Sequence, residues 1–274
     1  NPDFEQIKAA NYEKYAYESF FESYNRYYGE DLKTLWAKGM ENKLFTPQFH
    51  AREHLNANLW LRDLQKGVKD TRNAFDYHFF GLKTVTSSPH QWHYLSAYSA
   101  ENQQELEQTQ LIIEEGLQLF ETFFGFRSTS FIGCNYVWPK ELEPFLEQQG
   151  VRYLQGQRGQ VAPTMHAGKR KTYYHYIGQK NKVGQRYLVR NAIFEPYLNQ
   201  DSDWVNSTLS EVADAFLLKK PAIISTHRIN YASNMDVKNR DASLNKLNQL
   251  LQRLTEKWPE VEFLSSNELG TIIS

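Results

Sequence analysis

Phe45-Thr46-Pro47-Gln48-Phe49-His50-Ala51-Arg52-Glu53-His54 is the stretch on which the reading of the fold turns. Residues 45–49 read as a short strand, and two imidazoles follow it at once, four positions apart. If the backbone becomes helical at His50, positions i and i+4 share one face and both rings can grip one metal ion. Neutral imidazole suits Zn²⁺ and its neighbours in the first transition row. Eight His in 274 residues give about 0.2 such pairs by chance. The spacing alone therefore does not separate a ligand pair from a capping or surface pair, and the rest of the chain has to decide.

Working outward, residues 55–65 carry Leu55, Leu59, Leu61 and Leu64 on a helical face that stops at Gly67. Upstream, residues 1–44 are aromatic and charged and read as short helices and loops, with a helix near 32–39. Downstream, residues 81–98 read as an irregular excursion around Pro89. Residues 101–124 form the clearest helix, with Leu106, Ile113, Leu117, Phe120 and Phe124 at three- and four-residue spacing and Gly125 as its stop. Then come a strand at 128–134, a helix at 139–149, a strand at 151–154 and two extended segments at 171–177 and 186–194. A helix at 204–218, an apolar strand at 221–225, a helix at 244–258 and a final strand at 261–264 complete the chain. Strand and helix alternate from residue 45 onward, which predicts an α/β fold with a mainly parallel sheet or barrel in one domain, residues 1–274.

Composition narrows the function classes. The net charge is −1 with no long basic run, which argues against nucleic acid and anionic membrane as partners. No apolar run approaches the ~18 residues of a membrane span. The single cysteine, Cys134, excludes an intrachain disulfide framework and fits a cytoplasmic setting. Oligomeric state is not legible. Seventeen Tyr and six Trp supply core area first and sugar-stacking surfaces second.

In α/β folds the chemistry sits at the C-terminal ends of the strands. Three polar clusters fall there: His50 and His54; Asn135-Tyr136-Val137-Trp138; and Thr226-His227-Arg228, with Asn230 just beyond. An apolar strand running straight into Ser-Thr-His-Arg delivers His227 to the mouth of the sheet as a general acid.

With these clusters in place, the chain resembles the polysaccharide deacetylases of the NodB-type fold, a distorted (β/α) barrel. The resemblance is carried by Pro47-Gln48-Phe49-His50-Ala51-Arg52-Glu53-His54-Leu55-Asn56, by Pro221-Ala222-Ile223-Ile224-Ser225-Thr226-His227-Arg228-Ile229-Asn230-Tyr231, and by Trp258-Pro259-Glu260-Val261-Glu262-Phe263. It spans almost the whole chain and is closest to an uncharacterised bacterial branch. It implies metal-dependent removal of acetyl groups from a carbohydrate, in surface-polysaccharide metabolism. By the resemblance, His50 and His54 are expected to bind a divalent metal, Zn²⁺ first. His227 is expected to protonate the leaving amine or alkoxide and to face the His pair across one cleft. Tyr136, Trp138 and Asn230 are expected to contact the sugar.

Two departures from the family pattern matter. The family's third ligand and base are two Asp on a first strand, and residues 1–49 hold only the isolated Asp3 and Asp31. The expectation is a barrel incomplete at its N-terminal end, weak metal binding, and a native chain that starts before the Met-less Asn1. The family's Arg is missing from Phe131-Ile132-Gly133-Cys134-Asn135, and Asn135 or Arg228 is expected to take its place in orienting the base.

Two other readings compete. His50-Ala51-Arg52-Glu53-His54 also matches the inverted zinc-peptidase motif H-x-x-E-H, with Glu53 as base and Glu114 or Glu115 as a further ligand. That reading leaves Thr226-His227-Arg228 unexplained, and Glu53 is expected to turn away from the cleft into a structural contact instead, with Arg52 or with a backbone N–H group at the helix start. A non-catalytic carbohydrate-binding or scaffold barrel is the other alternative.

Overall fold

Residues 1–29, 32–82, 94–166, 169–232 and 234–273 are described by the structure, a computed structural model. Most of the excursion expected at 81–98 lies outside these residues. The chain divides into two compact units.

The first unit comprises Asn1–Leu154, Gly159–Tyr173 and Lys182–Gln185. Its helices are α1 (Phe4–Ala9), α2 (Phe20–Tyr28), α3 (Leu32–Glu41), α4 (Ala57–Gln65), α5 (Lys69–Asp76), α6 (Gln103–Phe124) and α7 (Leu142–Gln148). Strand β1 (Ser130–Ile132) lies beside the start of β2 (Tyr153–Gly156), and β3 (Gly159–Pro163) pairs with β4 (Arg170–Tyr174). Local chemistry explains the helix ends. Ser19 and Glu22 close a capping box on α2. Asn102 caps α6 by accepting from Glu105 N, and Gly125 ends α6 at φ +76°. The α6 stripe Leu106, Ile113, Leu117 and Phe120 is buried as its spacing predicts. Around Trp60, fully buried, pack Ile7, Leu55, Leu59, Leu64, Phe75 and Tyr94.

Gly116 lets α6 approach the histidine segment closely. A Cβ there would stand 3.0 Å from the Phe49 ring and from Arg52 Cβ, tighter than ordinary carbon contacts of about 3.5–4.0 Å.

The second unit comprises Gln155–Arg158, Tyr174–Asn181 and Arg186–Ser274. Here β5 (Arg186–Val189) is followed by β6 (Ala192–Ile193), α8 (Trp204–Leu217), β7 (Ile224–Ser225), α9 (Val237–Lys257) and α10 (Ser266–Ile272). β6 and β7 are parallel, with Ala192 opposite Ile224 and Ile193 opposite Ser225. Parallel neighbours need a crossover, and α8 supplies it. The apolar faces of α8 and α9 close over β6 through Ala192, Phe194, Val205, Leu209, Val212, Leu250 and Leu254. Phe216 meets Trp258 edge-on, with centroids 5.0 Å apart.

The described chain is thus mixed α/β with parallel strand pairing. Two local expectations need correcting. Residues 261–264 form no strand: Val261 N donates to Trp258 O across a turn, and Phe263 is 60% exposed. Residues 45–49 reduce to one parallel bridge, Phe49 to Phe131.

Candidate functional site

That bridge organises the histidine segment. Ile132 N donates to Phe49 O at 3.1 Å, so the parallel register sets His50 beside Ile132 and close to Cys134. Helix α4 does not begin at His50. Its N-cap is Asn56, whose Oδ1 accepts from Leu59 N at 3.0 Å. Residues 50–56 are a loop, so the two imidazoles do not share a helix face, contrary to the expectation from their spacing. Tertiary contacts do the same work. Asn56 N donates to Tyr94 O at 2.6 Å and Asn56 Nδ2 to Ser99 O at 3.0 Å, while Tyr98 Oη donates to His50 O at 3.2 Å. The two rings end with centroids 5.0 Å apart. His50 Nδ1 lies 2.9 Å from Ile132 O. A carbonyl only accepts, so Nδ1 carries the proton and Nε2 presents the lone pair, the arrangement that orients metal-ligating histidines.

The ligand atoms of His50, His54 and Cys134 all lie within 4.8 Å of one another. With metal–nitrogen distances of about 2.0–2.1 Å and metal–sulfur of about 2.3 Å, two ligand atoms of a tetrahedral site stand roughly 3.3–3.6 Å apart. Inward shifts of about 1 Å or less close the difference, so a divalent ion fits these residues. Cys134 is fully buried, and burial holds its thiol well above the usual thiol range. The thiol starts a tight turn, Cys134–Tyr136, in which Asn135 (φ +54°) and Tyr136 (φ +57°) are both left-handed. Each such non-glycine residue costs on the order of 1–3 kcal/mol. Hydrogen bonds from Tyr136 N to Gly133 O (2.7 Å) and from Val137 N to Cys134 O (3.1 Å) hold the turn. The Trp138 ring lies over Gly133, where any Cβ would overlap it.

Arg52 and Glu53, between the two histidines, face each other. Arg52 Nε and Nη2 donate to the two Glu53 oxygens at 2.5 and 2.6 Å. Arg52 also binds Glu115 and lies over the rings of Tyr15 and Tyr17. Both members of the pair are under 10% exposed. Of the two structural contacts expected for Glu53, this is the one with Arg52, and not one with a backbone N–H group at a helix start. It engages both carboxylate oxygens and takes away the base that the inverted peptidase motif requires.

In the second unit, Glu195 Oε1 lies 2.5 Å from His227 Nδ1. The other carboxylate oxygen accepts from Asn230 Nδ2 at 2.8 Å and from His227 N at 3.3 Å. Glu195 is 4% exposed, whereas the His227 side chain is 60% exposed. Asn230, fully buried, also donates to His227 O and accepts from Tyr197 N. A buried carboxylate thus fixes the Nδ1–H tautomer, leaving Nε2 for proton exchange on the open side. Thr226 Oγ1 and Tyr231 Oη are hydrogen-bonded beside it at 2.6 Å.

Among the residues singled out in the sequence, the structure brings His50 and His54 together. Asn135 is exposed, with Nδ2 3.4 Å from Ser96 Oγ, and Arg228 is exposed in the turn Arg228–Asn230. Tyr136 is half-buried. Trp138, expected at the sugar, is instead 1% exposed and packs edge-on against Phe131. Asn230, expected there too, anchors Glu195. Sequence reasoning missed Cys134 as a ligand candidate and Glu195 as the partner of His227. Glu195 shows only once the register is known: Ile193 opposite Ser225 places residue 195 level with residue 227.

Comparisons of the chain with protein-family models, with curated proteins and with solved structures find no match. No helix among the described residues is long and apolar enough to cross a membrane.

Proposed function

We propose that this protein is a metal-dependent hydrolase that removes acetyl groups from a carbohydrate, a polysaccharide deacetylase built on a NodB-type barrel. The observation that carries the reading is the Glu195–His227–Asn230 arrangement, in which a buried carboxylate holds an imidazole whose outer edge is open. Such a pair protonates a departing amine or alkoxide through Nε2, while Glu195 keeps Nδ1 protonated and the ring oriented. Asn230 and the His227 amide hold Glu195 in turn. His50 and His54 supply imidazole ligands for a divalent ion, Zn²⁺ by the character of these donors. When bound, the ion supplies the Lewis acidity that polarises an acetyl carbonyl.

The test is acetate release from N-acetylated and O-acetylated oligosaccharides by the zinc-loaded full chain. His227→Ala should lower the rate by about 10²-fold or more, and His50→Ala should abolish the response to added zinc. Absence of acetate release from every acetylated glycan tried, with zinc bound, refutes the reading. One observation favours the non-catalytic alternative. No carboxylate belongs to the His50–His54–Cys134 cluster among the described residues, so a proton acceptor for the attacking water is missing from it. Glycan binding with no acetate release would establish that alternative.

A further inference from the structure

We propose that Cys134 is a metal ligand through its thiolate sulfur, so that His50, His54 and Cys134 form a His₂Cys centre selective for Zn²⁺ and Co²⁺ over Mg²⁺ and Ca²⁺. The proposal rests on the reading above that the His pair binds a divalent ion, and it names the third ligand and the metal class.

Register and rigidity carry the argument. The Phe49–Phe131 bridge places the loops after two neighbouring parallel segments side by side, His50 on one and Cys134 on the other. Cys134 Sγ lies 4.0 Å from His50 O, while His50 Nδ1 is tied to Ile132 O at the end of β1, two residues before the cysteine. The thiol and the first imidazole are therefore fixed to the same short piece of ladder. The turn Cys134–Tyr136, with its two left-handed residues, and the Trp138 ring packed over Gly133 hold Cys134 from the other side. Free cysteines are often buried as small apolar side chains. An apolar role does not account for two imidazoles with nitrogens within 4.8 Å of the sulfur.

Donor chemistry decides the metal. Two neutral imidazoles bring no charge to offset a divalent ion. As the sulfur–metal bond forms, the Sγ–H bond breaks and its proton leaves to solvent, so the sulfur brings one negative charge. Thiolate and imidazole are donors for zinc-like ions, whereas Mg²⁺ and Ca²⁺ take oxygen ligands. Three protein ligands are also the number found in catalytic zinc sites. The centre then needs no carboxylate from elsewhere.

X-ray absorption on the zinc-loaded full chain tests this directly. One sulfur scatterer at about 2.3 Å beside nitrogen or oxygen at about 2.0–2.1 Å is expected. Co²⁺ should produce a sulfur-to-cobalt charge-transfer band in the near ultraviolet, which excess Mg²⁺ leaves intact. Cys134→Ser should remove the band and weaken Co²⁺ binding at least about tenfold, the lower end of what losing even an outer-sphere partner costs. Zinc surrounded by nitrogen and oxygen alone, cobalt bound without the band, or no binding of either ion would each overturn the proposal. The wild-type absorption measurement decides the matter even if Cys134→Ser does not fold. A sulfur-ligated metal with no acetate release would sink the deacetylase reading and leave this one standing. Acetate release with no sulfur at the metal would do the reverse.

Discussion

Replacing Arg52 with alanine removes the cation from a pocket where both partners are under 10% exposed. Glu53 would lose two charge-assisted hydrogen bonds of 2.5 and 2.6 Å and stay buried. Breaking a buried pair from one side costs about 3–5 kcal/mol. The contacts with Tyr15 and Tyr17 add roughly 0.5–1 kcal/mol each. Glu115 is 46% exposed, and losing its bond adds little. The total is about 4–7 kcal/mol, and at about 2–4 °C per kcal/mol for a unit of this size the melting temperature should fall by roughly 8–28 °C.

The loss should depend on pH. Burial raises the Glu53 carboxyl above its ordinary value, and the Arg52 guanidinium pulls it back down. Because the folded value exceeds the unfolded one, the folded state holds the proton more tightly. Stability from this group is therefore full below the unfolded value and is lost as pH rises through the folded value. Without Arg52 the folded value climbs further. The gap between wild type and Arg52→Ala should then widen from about pH 5 to about pH 8. Urea denaturation at both pH values measures it, with Arg52→Met/Glu53→Leu as the control that recovers most of the loss. A cost below about 1 kcal/mol at both pH values, as for an exposed pair, would refute the buried-pair argument.

Three further outcomes are expected. Glu195→Gln can keep its amide oxygen on Asn230 Nδ2 and His227 N only by turning its NH₂, a donor, onto His227 Nδ1, which can then no longer carry the proton; kcat for acetate release should drop at least about tenfold with KM little changed, and a KM effect alone contradicts a proton-transfer role for the pair. Asn56→Ala removes an N-cap and the bonds to Ser99, costing about 1–2 kcal/mol for the cap alone; the urea midpoint should fall and Co²⁺ binding weaken, and unchanged Co²⁺ binding would mean that Asn56 does not position the histidine loop. Gly133→Ala drives a methyl into the Trp138 ring at about 1–3 kcal/mol; a shifted tryptophan emission with a lower melting temperature is expected, and an unaltered emission counts against that packing.

The sequence by itself determined what depends on neighbours along the chain. The α6 helix follows from a three- and four-residue apolar stripe closed by Gly125, and the α/β class from the alternation of apolar strands with amphipathic helices. The Arg52–Glu53 contact was legible as one of two local alternatives for the same reason, since the two residues are adjacent. Tertiary structure decided the rest. The imidazoles of His50 and His54 meet because Phe49 pairs with Phe131 and Asn56 is anchored to Ser99, not because four residues make a helical turn. Cys134 reaches the histidines across 84 positions, and Glu195 reaches His227 across 32. Parallel pairing joins segments separated by a whole crossover, so its register lies in the packing of helices over strands. No local pattern in the residues themselves records which strand end will face which.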